Sequence, residues 1–131
     1  MTPEILSQAE AKWNTHRPGF YRLVIEMSGD HVETGKFEVI VQSTQVVSLR
    51  RNGIVVMPGP GQDYSMEGLF QLLKQEAGLA EKPAILGAPP GYSVYMSARF
   101  DPASGRPMQY RRTVGGTSNT IDVRVLEYEE K

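Results

Sequence analysis

Apolar residues recur every three to four positions in two stretches of the chain, and each stretch predicts an amphipathic helix. The first helix is predicted to begin after Thr2, whose hydroxyl suits an N-cap, with Pro3 and Glu4 in its first turn. Its apolar stripe is predicted to consist of Ile5, Leu6, Ala9 and Trp13. The segment 14–19, which closes with proline and glycine, is predicted to end this helix.

The second helix is predicted to begin after Ser65, another good N-cap, and to end before Gly78. Its core-facing residues are predicted to be Met66, Leu69, Phe70, Leu73 and Ala77. Glu67 and Glu76 lie on this helix about half a turn out of phase, so they do not form a paired acid–base device.

Apolar and polar residues alternate in most of the remaining chain, which is typical of antiparallel strands with one buried face. The Asn52-Gly53 pair between two apolar runs predicts a tight hairpin that places Arg51 opposite Ile54. The alternating stretches are 20–27, 36–42, 45–57, 93–100, 107–114 and 120–128. The sequence therefore predicts one α+β domain over residues 1–131, in the order α-β-β-β-β-α-β-β-β. Its two helices pack on one face of an antiparallel sheet of about six or seven strands.

Composition narrows the classes of function. Fourteen basic and fifteen acidic residues give a net charge of -1, so no overall field attracts nucleic acid or an anionic membrane. The chain has no cysteine, which excludes disulfides, thiolate metal sites and cysteine nucleophiles. Its apolar runs are also too short for a membrane-spanning helix.

The stretch RFDPASGRPMQYRR, residues 99–112, concentrates reactive residue types, but its spacing predicts a hairpin. Asp101 and Pro102 begin a type I turn, and Gly105 suits a left-handed position, which gives a five-residue loop. The Asp101 carboxylate is predicted to accept backbone N–H groups within this turn. The predicted cross-strand pairs are Ala98 with Met108 and Met96 with Tyr110 towards the core, and Ser97 with Gln109 and Tyr95 with Arg111 on the other face. The arginines are predicted to lie on that outer face.

Neither histidine, His16 nor His31, has a second metal-type ligand at helical or hairpin spacing, although Asp30 and Glu33 flank His31. The glycine-rich stretch 59–62 precedes a helix but lacks the lysine and the glycine spacing of a phosphate-binding loop. No nucleophile elbow is present either. We therefore predict no catalytic residue, no cofactor and no metal site.

Three segments together resemble the bacterial domain-of-unknown-function family 6174, which comprises small secreted or lipoprotein-type domains. They are Trp13 followed by the strand that opens at Tyr21, the helix start SMEGLFQLL, and the hairpin FDPASGRP. The chain departs from the family at Ser28-Gly29, where cysteines are common, and at Arg111 and Arg112, where acids are common. The resemblance implies an extracytoplasmic domain without an established activity, and it supplies no catalytic residue.

Three hypotheses of function follow from the sequence. The first is a non-enzymatic domain of the bacterial cell envelope that binds a protein or a small molecule through the outer sheet face. Its predicted contacts are Tyr95, Arg99, Arg111 and Arg124. The second is a carrier of a small hydrophobic ligand, with a cavity lined by Leu69, Phe70, Leu73, Met96 and Tyr110. The third is a hydrolase, which would need His16 or His31 beside a nucleophile.

Overall fold

The computed structural model describes residues 1–30, 33–57 and 62–130. Helix α1 spans Pro3–His16 and helix α2 spans Met66–Ala80, and a short 3-10 helix follows at Pro83–Leu86. The described strands are β1 (Phe20–Gly29), β2 (Gly35–Gln42), β3 (Gln45–Arg51), β4 (Ile54–Val55), β5 (Val94–Phe100), β6 (Pro107–Val114) and β7 (Thr120–Glu130).

The strands form one antiparallel sheet in the order β4-β3-β2-β1-β7-β6-β5. Each half of the sheet is a meander of strands that follow one another in the chain. The two halves join in the middle, where β1 pairs with β7. Both helices cover the same face, which we call the inner face, and the opposite outer face carries no helix. The α+β fold and the predicted order of its helices and strands are confirmed.

The core lies between the helices and the inner face. Trp13 of α1 is fully buried and meets the Tyr21 ring edge-on, with ring centroids 5.4 Å apart. Phe70 of α2 stacks on Phe100 of β5 at a centroid distance of 6.3 Å. In β1, every second residue from Tyr21 to Met27 is buried, as the alternation predicts. The core thus links α1, α2 and both halves of the sheet.

Both helix starts are confirmed by their caps. The Thr2 hydroxyl accepts a hydrogen bond from the Ile5 N–H, and the Ser65 hydroxyl accepts one from the Gly68 N–H. The predicted end of α2 is wrong, because the helix runs through Gly78 to Ala80. Ile5 was also expected in the buried stripe, but it lies at its solvent-facing border and is 50% exposed.

The Asn52-Gly53 hairpin between β3 and β4 has the predicted register, with Arg51 opposite Ile54. The register predicted for β5 and β6 is wrong by two residues, since Ala98 pairs with Tyr110, Met96 with Arg112, Ser97 with Arg111 and Tyr95 with Thr113. The loop closes between the Asp101 N–H and the Arg106 carbonyl, which adds one residue, and a bulge at Met108 adds another. Because side chains alternate with a period of two, a shift of two keeps Tyr95, Ser97 and Arg111 on the outer face.

Candidate functional site

The four residues predicted as surface contacts lie on one side of the sheet, across β5, β6 and β7. The register places Arg99 and Arg124 on either side of Gln109 in one cross-strand row. Arg111 lies two residues along β6 from Gln109, between Ser97 and Asp122, and Tyr95 lies two residues beyond Ser97. Since neighbouring strands are about 4.8 Å apart, the three arginines occupy positions next to Gln109 on the same face. We call this set the arginine face: Tyr95, Arg99, Gln109, Arg111 and Arg124.

The cations of the arginine face are exposed and differ in their partners. Arg124 donates to Glu26 Oε1 at 2.5 Å, and its Nε lies 3.9 Å from Asp122 Oδ1. Within the described part of the chain, Arg99 and Arg111 have no carboxylate at ion-pair distance. Arg124 is thus paired with Glu26 and Asp122, whereas Arg99 and Arg111 form no ion pair within the described part of the chain.

Arg22 shows the opposite situation on the acidic side of the same outer face. Its Nη2 lies 2.7 Å from Glu38 Oε2 and 3.6 Å from Glu127 Oε2, and its Nη1 lies 3.4 Å from Glu129 Oε1. The hydrogen bonds that Arg22 donates to Glu38 raise the pKa of its guanidinium. This arginine is thus satisfied within the protein, whereas Arg99 and Arg111 are not.

A surface cleft of about 290 Å³ opens where β6 and β7 both bulge, at Met108 and Leu126. Bulges redirect neighbouring side chains, and the lining of this cleft includes three arginines, Arg99, Arg106 and Arg124. One acidic residue, Glu127, lines it as well. Arg106 also lies over the Tyr128 ring, with its guanidinium carbon 4.3 Å from the centroid. Arg106 and Gln109 were not among the predicted surface contacts, because their place in the cleft depends on the bulges.

The structure corrects the prediction that all arginines of residues 99–112 lie on the outer face. Arg112 is only 2% exposed and lies on the inner face, where its Nη1 contacts both carboxylate oxygens of Glu76 at 2.9 and 2.8 Å. Its Nη2 donates to Asn119 Oδ1, and Tyr110 donates its hydroxyl to Glu76 Oε1 at 3.0 Å. Burial and the Glu76 charge raise the pKa of the Tyr110 hydroxyl.

The other acid of α2, Glu67, has a separate structural role. It accepts a hydrogen bond from Trp13 Nε1 at 2.7 Å and one from the Tyr21 hydroxyl at 3.4 Å. The Tyr21 hydroxyl in turn accepts the N–H of Met66 at the start of α2. Glu67 therefore anchors α1 and β1 to α2, while Glu76 anchors α2 to β6.

His16 is the histidine that the structure describes, and it pairs with Glu130 at the end of β7. Tyr128 donates to the same Glu130 oxygen at 2.6 Å. The neighbouring hydroxyl of Thr15 is not directed at this pair, because it donates to the Ala11 carbonyl. These contacts tie α1 to the end of β7, and within the described part of the chain His16 is hydrogen-bonded to no serine or threonine hydroxyl.

The other candidate sites from the sequence are the region around residue 31, the glycine-rich stretch and the carrier cavity. The histidine at position 31 and residues 59–61 of the glycine-rich stretch lie outside the described residues. The described residues contain no group of three His, Asp or Glu side chains that could hold a metal ion. Where a carrier cavity was predicted, between α2 and the sheet at Leu69, Leu73 and Tyr110, the free space is about 10 Å³. That is about the volume needed for one water molecule, against roughly 300 Å³ or more for a typical ligand pocket.

Two further observations bear on the class of protein. No helix among the described residues has the length and apolar character needed to cross a bilayer. No protein-family model matches the chain, and a search of the curated proteins finds no match to it. The resemblance to family 6174 therefore stays a prediction that rests on the three sequence motifs.

Proposed function

We propose that the protein is a non-enzymatic binding domain whose arginine face binds an acidic segment of a partner protein. The proposal rests on one observation: two exposed arginines, Arg99 and Arg111, have no carboxylate partner in the described chain, and a polar cleft lies beside them. Arginine presents a planar set of donors that suits carboxylates, and the Gln109 amide adds a further donor between them. The motif resemblance favours the bacterial cell envelope as the setting.

The size and shape of the cleft suit this partner. An open cleft of about 290 Å³ accommodates one or two side chains of a partner. The protein's net charge of -1 means that attraction is local, so an acidic segment is attracted only where it reaches the arginine face. Tyr95, which is 65% exposed at the end of this face, offers an aromatic surface for the same segment.

The proposal is tested by fluorescence anisotropy with a labelled glutamate-rich peptide at low and at physiological salt. We expect saturable binding that weakens with salt, and a loss of about tenfold in affinity for Arg99→Ala/Arg111→Ala, since each exposed charge pair contributes up to ~1 kcal/mol. Arg50→Ala is the matched control, because Arg50 is exposed on the other half of the outer face.

Equal losses in the double variant and in Arg50→Ala would show only a general charge effect and would contradict the proposal. Absence of binding to the unmodified protein at low salt would contradict it as well. Inorganic phosphate serves as the competitor: displacement of the peptide at low phosphate concentrations would indicate a small-anion site instead of a protein partner.

A further inference from the structure

The two edges of the sheet differ in how well they are protected from pairing with another strand. One edge is β4, which has two residues, and short edge strands are a common protection. The other edge is β5, a regular strand of seven residues, Val94–Phe100. It contains no lysine and no proline, its one charged residue is Arg99, and the bulge of the β5–β6 hairpin lies on β6 rather than on the edge. Edge strands without these protections pair readily with a further strand.

The hydrogen-bond pattern identifies which groups of β5 are available. The Ser93 carbonyl accepts the Gly115 N–H, so the odd-numbered residues of β5 direct their N–H and C=O groups towards β6. The even-numbered residues Val94, Met96, Ala98 and Phe100 therefore direct theirs away from the sheet. One of these groups has a partner in the described chain, because the Met1 nitrogen donates to the Met96 carbonyl at 3.3 Å.

We propose that β5 pairs with β5 of a second copy, antiparallel and across a two-fold axis at Ser97. In this register Ser97 faces Ser97 of the second copy, and Met96 faces Ala98. Tyr95 faces Arg99, and Val94 faces Phe100. The outward-directed groups of the even-numbered residues then meet one another, and each such pair exchanges two hydrogen bonds.

The side chains of β5 are complementary in this register on both faces. On the outer face, each Arg99 lies against a Tyr95 ring, an arrangement that favours cation–π contact, and no charge faces its own kind. On the inner face, apolar residues meet apolar residues. A register centred on Arg99 would oppose the two arginines, and one centred on Tyr95 would shorten the overlap. The sequence of β5 thus favours the two-fold at Ser97.

Exposed apolar residues beside the edge support a second copy as the occupant. Tyr95 on the outer face is 65% exposed, and Ile5, which lines a cleft together with Phe100, is 50% exposed. A paired β5 would cover part of both side chains. For this pairing, the hydrogen bond from the Met1 nitrogen to the Met96 carbonyl breaks, and the same carbonyl accepts the Ala98 N–H of the second copy. Because the β4 edge is too short to continue the sheet, the assembly closes as a dimer.

The pairing involves Tyr95 and Arg99 of the arginine face, whereas Gln109, Arg111 and Arg124, on β6 and β7, stay open to a partner. The two arginine faces would lie on the same side of one continuous sheet. A partner with two acidic segments could then bind both, which raises the overall affinity through the higher effective concentration of the second site.

The test uses the axis residue, since Ser97 is exposed and a charge placed there faces the same charge in the second copy. Sedimentation equilibrium of the unmodified chain is expected to show a dimer. Ser97→Lys and Ser97→Glu are each expected to sediment as monomers. An equimolar mixture of the two variants is expected to form a heterodimer about tenfold or more tighter than either homodimer, because the opposed charges become complementary.

Ser28→Lys and Ser28→Glu are the matched controls, since Ser28 is an exposed serine of the central strand β1, and both are expected to remain dimeric. Ala98→Pro, which removes an outward-directed N–H, should also dissociate the dimer, and circular dichroism checks that each variant is folded. The inference is overturned by a monomeric unmodified protein, by dimers of both Ser97 variants alone, or by a mixture that stays monomeric. Peptide anisotropy on Ala98→Pro separates the two proposals, because Ala98 lies on the inner face and its replacement leaves the charges of the arginine face unchanged. Loss of the dimer with retained peptide binding leaves the proposed function standing.

Discussion

Replacing Glu76 by glutamine removes one charge of an ion pair that is almost fully buried. Glu76 and Arg112 are 3% and 2% exposed, and the two carboxylate oxygens accept hydrogen bonds from Arg112 Nη1 and from the Tyr110 hydroxyl. A glutamine offers one acceptor oxygen, and its amino group would face the donors of Arg112. The substitution therefore leaves a guanidinium charge buried without a counter-charge.

Removing one partner of a buried ion pair costs about 3–5 kcal/mol, because the other charge stays desolvated. At about 2.1 cal/mol/K of unfolding entropy per residue, this cost lowers the Tm of a chain of this length by roughly 11–18 °C. We expect Glu76→Gln to show a loss of this size in urea denaturation followed by circular dichroism. The slope of the transition should not change, since the folded structure remains compact.

A double-mutant cycle of Glu76→Met, Arg112→Met and the two combined distinguishes the charge effect from a loss of packing. In Glu76→Met/Arg112→Met both charges are gone, and we expect the double variant to be more stable than Glu76→Gln by about 2 kcal/mol. Tyr110 and Asn119 still lose partners, so the double variant should stay somewhat below the unmodified protein. A cost under about 1 kcal/mol for Glu76→Gln, or strictly additive costs in the cycle, would refute the reasoning.

Three local features make further predictions. Trp13→Phe removes the hydrogen bond to the Glu67 carboxylate and should cost about 2–3 kcal/mol in urea denaturation; an unchanged midpoint would mean that this bond does not stabilise the fold. Gly105→Ala should cost more than about 1 kcal/mol, because Gly105 has a φ of +78° and a Cβ there would lie 2.2 Å from a carbonyl of α1. Gly91→Ala, at φ +87° with open space around it, is the matched control and should cost less. Hydrogen bonds from Ser104 lower the pKa of the Asp101 carboxyl below its ordinary value of 3.8. The ionised carboxylate therefore stabilises the fold fully above pH 3.8, and this stabilisation is lost as the pH falls through the lowered pKa. In Asp101→Asn the urea midpoint should therefore depend less on pH between about pH 5 and pH 3. The same pH dependence as in the unmodified protein would count against this role.

Much of the fold was predictable because the local sequence patterns agree with the secondary structure that the sheet and helices adopt. The caps at Thr2 and Ser65 and the tight turn at Asn52-Gly53 are read directly from side-chain chemistry over a few residues. The pairing of β1 with β7 could not be predicted in this way. This pairing joins strands that lie far apart in the chain, and the alternation of apolar and polar residues in a strand does not indicate which strand it pairs with.

The outer contacts and the buried ion pair show where sequence reasoning reaches its limit. Arg111 and Arg112 are adjacent and chemically identical, yet one is exposed and the other is buried against Glu76. Period-two alternation puts them on opposite faces, but only the tertiary position of α2 supplies the carboxylate that permits burial of a charge. Likewise, the cleft that includes Arg106 lies at the bulges at Met108 and Leu126. These bulges could not be predicted from the alternation of apolar and polar residues.

The central pairing of β1 with β7 also determines when the protein can finish folding. As the chain leaves the ribosome, α1 and the meander of β1 to β4 are complete long before Thr120–Glu130 is available. Until then the second edge of β1 is open, and its buried-type side chains lack part of their cover. Closing contacts of such large sequence separation is slow, because the loop entropy is lost before the pairing stabilises it. The nascent chain therefore passes through a stage at which a central strand is temporarily an edge, and this stage is where premature pairing between chains would begin.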